Sequence, residues 1–144
     1  MKIYHYTECG LDNIYLDGGF SIAKNGTLSI RDIHGLHREI AEVLANLSRP
    51  LKGKEIRFIR HYFDINQKTL GEQLCVSYQA VLRWEKSKSK ITKTADRFLK
   101  VLLYGYLHED ASTLETVKRL SDRDAKDHED KIEMQFKKDW AIAA

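Results

Sequence analysis

Proline occurs once in the 144-residue chain, at Pro50, and cysteine only twice. No low-complexity tract interrupts the sequence, so a proline-rich spacer or a disordered linker protein is excluded. Cys9 and Cys75 stand in different segments, too few and too far apart to form a disulfide framework, and both are expected as reduced thiols. No apolar run approaches the roughly 18 residues that a membrane-spanning helix needs. The opening MKIYHYTECG has tyrosines and a polar TEC where a secretory signal would carry an apolar core, so the expected location is the cytoplasm. Missing too are a phosphate-binding glycine loop, a nucleophile beside a base and a tight carboxylate pair. Catalysis is therefore not expected.

What the chain does contain is enough apolar residue for a core, 42%, and a formal charge of +3. The charge is uneven. Residues 51–100 hold 12 Lys and Arg against 5 Asp and Glu, whereas residues 1–50 hold 5 against 6 and residues 101–144 hold 7 against 10. The middle of the chain alone has the excess positive charge that attracts a polyanion.

Along the chain, KIYHY and NIYL are short β-type runs, and FSIAK and TLSIR alternate around Asn25-Gly26. That pair predicts a hairpin with a type I′ turn. Asp32 is a candidate N-cap for a helix carrying Ile33, Leu36, Ile40, Val43, Leu44 and Leu47 at helical spacing, which Ser48-Arg49-Pro50 breaks. From Leu51, Ile56, Ile59, Tyr62 and Phe63 share a face until Asp64-Ile65. Asn66 then caps a helix from Gln67, and Ser77 caps another from Tyr78 to about residue 86. A polar SKSKITKT connector leads to a closing helix over residues 95–107, and Ser112-x-x-Glu115 matches a capping box for one more. SDRDAKDHEDK reads as a solvated helix or frayed tail. Ile132, Phe136 and Trp140, four apart, predict an apolar helical stripe packed on the body. The expected architecture is mainly α, with a small N-terminal α+β subdomain containing a β-hairpin over residues 1–50. A helical domain spans 51–107, and a C-terminal helix with a charged tail spans 108–144.

The segment 66–87 places two polar helix starts on either side of Leu70, Leu74, Val76, Val81 and Trp84, which are spaced to bury together. Free N–H groups at helix starts favour phosphate, so Asn66, Gln67, Lys68 and Ser77 are expected backbone contacts. Lys86, Lys88 and Lys90 follow the second helix, where they can reach the same backbone. Tyr78, Gln79, Leu82 and Arg83 share its outer side. Gln79 matches the donor and acceptor edge of adenine, and Arg83 can donate twice to guanine. Over residues 51–106, Arg60, Asn66-Gln67, Leu70-Gly71, Leu74, Val76-Ser77, Val81 and Trp84-Glu85 together resemble the helix-turn-helix regulators of the phage-repressor and xenobiotic-response-element (XRE) type. The resemblance implies that Tyr78, Gln79 and Arg83 read bases and that Arg60 and Glu85 form an internal structural ion pair. It departs at Gly71, where alanine is usual, and at Cys75, which stands where a turn glycine of positive φ is common.

YHYTECGLDNIYL ahead of such a domain resembles antitoxins of the MqsA and HigA kind, which repress their own operon and neutralise a toxin. The implied function is a sequence-specific DNA-binding repressor, the antitoxin of a toxin-antitoxin operon. The alternative is a stand-alone or phage-type regulator without a toxin partner. The expected partners are double-stranded operator DNA, a second copy of the chain and a toxin protein. His5, Cys9, His34 and His37 are the conceivable metal ligands, but lone histidines at such spacing more often cap or lie on the surface, and no metal or other cofactor is expected.

Overall fold

The computed structural model describes residues 3–126, 134–136 and 140–142. Two short antiparallel ribbons come first, β1 (Ile3–His5) with β2 (Tyr15–Asp17), then β3 (Phe20–Ile22) with β4 (Leu28–Ile30). Helices α1 (Ile33–Ala45), α2 (Gly53–Phe63), α3 (Gln67–Gln73), α4 (Tyr78–Glu85), α5 (Lys93–Leu107) and α6 (Ala111–Lys126) follow. A last ribbon pairs β5 (Met134–Phe136) with β6 (Trp140–Ile142). The architecture is mainly helical, with small antiparallel strand pairs.

The β3–β4 hairpin forms where alternation predicts it, but its turn differs from the expected type I′. Backbone pairing continues to Ala23 and Thr27, and the Gly26 N–H donates to the Ala23 carbonyl at 2.9 Å. Three residues therefore make the loop. Gly26 has φ 85°, whereas Asn25 stays out of the left-handed region and its side chain accepts from the Thr27 N–H at 3.1 Å. One glycine absorbs the positive φ that the two-residue turn would have required twice.

Asp32, Asn66 and Ser77 cap their helices as the sequence predicts, each accepting from the N–H three residues on. Thr92, within the stretch read as a polar connector, caps α5 in the same way, so that helix begins at Lys93, ahead of the expected residue 95. At α6 the cap is Asp110 and not Ser112: its carboxylate accepts from the Thr113 N–H at 3.0 Å, so the helix begins before the expected capping box. Residues 121–126, read as a solvated helix or frayed tail, continue α6. The expected helical stripe of Phe136 and Trp140 is instead a cross-strand pair of β5 and β6, because a separation of four also fits opposite positions across a tight hairpin. Ile132 lies outside the described residues.

Helix α1 packs on α5, α4 packs on both α2 and α3, and α6 closes over α5 and α2. Ile56, Ile59, Leu70, Val81, Leu99, Leu103 and Leu107 are fully enclosed. Tyr6, Leu11 and Leu16 join the same core from the N-terminal strands and loop. Each such side chain contributes about 1.5–3 kcal/mol of transfer free energy. The Lys54–Asp12 ion pair is exposed and screened by solvent, so burial holds the N-terminal segment down.

The break at Pro50 is closely tied. Arg49 donates to both oxygens of Glu55 at 2.8 Å each, and the Lys52 N–H donates to Glu55 at 2.8 Å. Asp96 accepts from the Leu51 N–H at 2.8 Å and from Lys100 Nζ at 2.9 Å, while Lys100 also donates to the Arg49 carbonyl at 2.7 Å. Burial pushes the Glu55 carboxyl up, but the Arg49 guanidinium and the Lys52 N–H outweigh it and hold the group below its ordinary value. Its contribution to stability is present above the ordinary carboxylate range and is lost as pH falls through the lowered value. Urea unfolding at stepped pH below about 5 will show stability declining with acid, and Glu55→Gln will flatten that decline.

Candidate nucleic-acid interface

Helices α3 and α4 are joined by residues 74–77, and their contact is close because Gly71 has no side chain. A Cβ at Gly71 would lie 3.0 Å from the Val76 carbonyl oxygen, and the Gly71 carbonyl accepts from the Val76 N–H at 2.9 Å. Cys75 has φ 56°, the left-handed conformation expected for a turn glycine, so a β-carbon is accommodated there at some conformational cost. Beneath the turn, Leu70, Leu74, Val81 and Trp84 are buried together.

Burial of Val81 and Trp84 turns the opposite side of α4 outward. Tyr78, Gln79 and Arg83 are exposed and Leu82 is half-buried. Past α4, Ser87 adopts φ 59° and the Lys88 N–H returns to the Arg83 carbonyl at 2.9 Å, ending the helix in a left-handed cap. Lys86, Lys88 and Lys90 all project from this segment into solvent. One surface thus combines a polar helix edge with a run of free ammonium groups.

Behind it stands the ion pair. Arg60 Nε donates to Glu85 Oε2 at 2.8 Å and Nη2 to Oε1 at 3.0 Å, while Nη1 reaches the Ile65 carbonyl at 3.2 Å. Both side chains are nearly enclosed, 12% and 4% exposed, so the charges are paired away from water. Two parallel donor bonds in such a setting fix an orientation as well as a distance. Gly53, a position that sequence reasoning overlooked, lets α2 approach the end of α4. A Cβ there would meet the Trp84 carbonyl oxygen at a separation no side chain tolerates.

The seven expected phosphate contacts divide into two groups. Lys68, Lys86, Lys88 and Lys90 are exposed. Asn66, Gln67 and Ser77 have internal partners: Asn66 Oδ1 accepts from the Thr69 N–H at 2.8 Å and Ser77 Oγ from the Ala80 N–H at 3.2 Å. The Gln67 amide donates to Glu85 Oε1 at 3.2 Å. The Asn66 N–H is also engaged, by Asp124 Oδ2 at 2.8 Å, so the N–H groups of Gln67 and Ser77, more than their side chains, are what α3 and α4 offer an anion. Sequence reasoning also missed Asp124 and Arg123 of α6, which reach α3, because a contact between residues 55 positions apart leaves no local signal.

The conceivable metal ligands do not converge. His5 Nε2 lies 2.7 Å from the Asp12 carbonyl and its ring stacks on Tyr15, while His37 Nε2 lies 2.8 Å from the Tyr6 hydroxyl. Cys9 Sγ donates to the Tyr6 carbonyl, and His34 is exposed. Among the described residues no three His, Cys, Asp or Glu side chains gather to hold an ion. Burial lowers the pKa of His37 and raises that of Cys9, so the neutral forms of both are favoured.

No protein-family model matches the chain, and comparison with curated proteins and with solved structures also gave no match. The functional reading therefore rests on the residues themselves. Also, no helix among the described residues is long and apolar enough to cross a membrane.

Removing one side of the ion pair leaves the other charge enclosed and unpaired. Arg60→Ala will cost about 3–5 kcal/mol in denaturant unfolding, and the double variant Arg60→Ala/Glu85→Ala less than the sum of the single changes.

Proposed function

We propose that the chain is a sequence-specific DNA-binding repressor of the helix-turn-helix type, with α3 lying across the sugar-phosphate backbone and α4 entering the major groove. The observation that carries this reading is the outward row of Tyr78, Gln79 and Arg83 on a helix whose opposite side is buried. A helix presented in this way fits the groove's width, and its two polar side chains match the edges of adenine and guanine. The cationic segment 86–90 supplies the backbone attraction that base readout alone lacks. Tyr78 lies against a thymine methyl or a sugar.

The resemblance of residues 1–50 to MqsA- and HigA-type antitoxins supports a role within a toxin-antitoxin operon. In this role the protein silences its own promoter while the N-terminal strands and α1 hold the toxin. A stand-alone regulator would share the DNA-binding half and lack the partner gene. Adjacency to a small toxin gene separates the two.

Fluorescence anisotropy on DNA from the protein's own upstream region tests the proposal. Gln79→Ala and Arg83→Ala will each erase about 1–3 kcal/mol of preference for that sequence over random duplex. Lys88→Ala will weaken both alike and reduce the log-log salt slope by about one. Equal, sequence-blind losses in all three variants would overturn the assignment of base readers. One recognition helix reads few base pairs, so the protein acts as a two-fold dimer on half-sites about 34 Å apart. Light scattering will give the mass of two chains, and a monomer with undiminished operator affinity would refute this.

A further inference from the structure

Helices α2 and α3 begin with the same need and meet it differently. In α2 the third residue is Glu55, whose carboxylate reaches back to the N–H of Lys52 ahead of the helix at 2.8 Å, the half of a capping box that does not need an acceptor on the N-cap side chain. In α3 the equivalent residue is Thr69, too short to reach back. The N–H of Asn66 is satisfied instead by a carboxylate from a distant helix, Asp124 Oδ2 of α6, at 2.8 Å. The other oxygen, Oδ1, accepts from the Thr69 hydroxyl at 2.5 Å. Thr69 is only 2% exposed, so its end of the contact is enclosed while Asp124 is half-buried. Arg123 Nη2 donates to Thr69 Oγ1 at 3.3 Å and to Glu72 at 3.0 Å, and Ser121 donates to Asp64 at 3.3 Å in the turn between α2 and α3. Val117 and Leu120, both buried, anchor the same face of α6 one and two turns earlier.

From this we infer that Asp124 is a positioning residue for DNA binding. It completes the cap of α3 from outside the DNA-binding unit and so fixes the orientation in which Gln67 and Lys68 meet the phosphate backbone. The inference rests on the reading proposed above. α3 has only seven residues and two turns of its own hydrogen bonds, so an isolated helix of this length is unstable in water. Its start is held by Asn66 from within and by Asp124 from without. Loss of the outer carboxylate frees the first turn of α3 while α4 stays seated on Val81 and Trp84. Phosphate contacts then suffer and base readout does not.

A purely electrostatic role would have the opposite sign, since deleting an acidic group near a polyanion strengthens binding. Asp122 provides the comparison: it is exposed, lies two residues away on α6 and has no hydrogen bond to α3. The test uses the full chain and anisotropy titrations on upstream and random duplexes at several salt concentrations. Asp124→Ala is expected to weaken binding to both duplexes about fivefold, in the range of losing a helix cap, and to lower the salt slope by about one. Asp122→Ala, with the same change of charge, is expected to leave binding unchanged or strengthen it slightly. Asp124→Asn retains an acceptor for the Asn66 N–H and is expected to recover most of the affinity. Thr69→Val removes one of the two bonds without altering charge and shifts binding in the same direction as Asp124→Ala, which keeps the test open if the latter folds poorly. A merely structural loss would reduce the active fraction and leave the salt slope as it was. Wild-type affinity and slope in both Asp124→Ala and Thr69→Val would overturn the inference, as would equal behaviour of Asp124→Ala and Asp122→Ala. Failure of the unaltered protein to bind either duplex would instead overturn the DNA-binding reading, and this inference with it.

Discussion

The Arg60–Glu85 contact is the interaction on which the helical arrangement depends. It joins α2 to the last residue of α4, and through Nη1 it reaches the carbonyl of Ile65 just before α3. Gln67 brings α3 to the same carboxylate. Three helices are thereby referred to one group of atoms. Enclosure makes the pair costly to desolvate, so its net contribution to stability is small compared with burying Ile56, Ile59 or Leu99. What it supplies is direction: hydrophobic surfaces slide past one another with little penalty, whereas a bidentate guanidinium–carboxylate contact does not.

That direction matters because the exposed side of α4 is useful only at a defined angle. Gly53 lets α2 approach the end of α4 more closely than any β-carbon allows, and Gly71 lets α3 sit against the turn before α4 at a distance where a β-carbon would force a small shift. The apolar side of α4 is then pressed into the core by Val81 and Trp84, and the polar side is whatever remains. The same economy appears at the start of α3, where an enclosed threonine and a distant aspartate together do what a single glutamate does for α2.

Much of this was legible in the residues. Asp32, Asn66 and Ser77 were recognisable as caps because a short polar side chain before an apolar repeat has a local physical purpose. The ion pair was legible only through resemblance, since nothing in a separation of 25 positions announces a contact. The positive φ at Cys75 follows the same resemblance, against the preference of a residue with a β-carbon. The misreadings have a common cause. Asn25-Gly26, Ser112-x-x-Glu115 and the spacing of Phe136 and Trp140 are each compatible with two local structures, and neighbouring residues decided between them: Ala23 and Thr27 by pairing one step further, and Asp110 by capping earlier. Asp124 could not be found at all from the chain read in order. Its partners lie in another helix, and its own surroundings, SDRDAKDHEDK, look like solvated charge.

The bonds around Pro50 also determine what kind of joint that proline makes. Arg49, Leu51 and Lys52 are each held by side chains from α2 or α5, so turning the chain there breaks hydrogen bonds that are buried or partly buried. Proline punctuates the chain without acting as a hinge. α1, thirteen residues and roughly 20 Å long, packs on α5 just before this joint, so the N-terminal subdomain and the helical body share one fixed setting and are not two domains on a swivel.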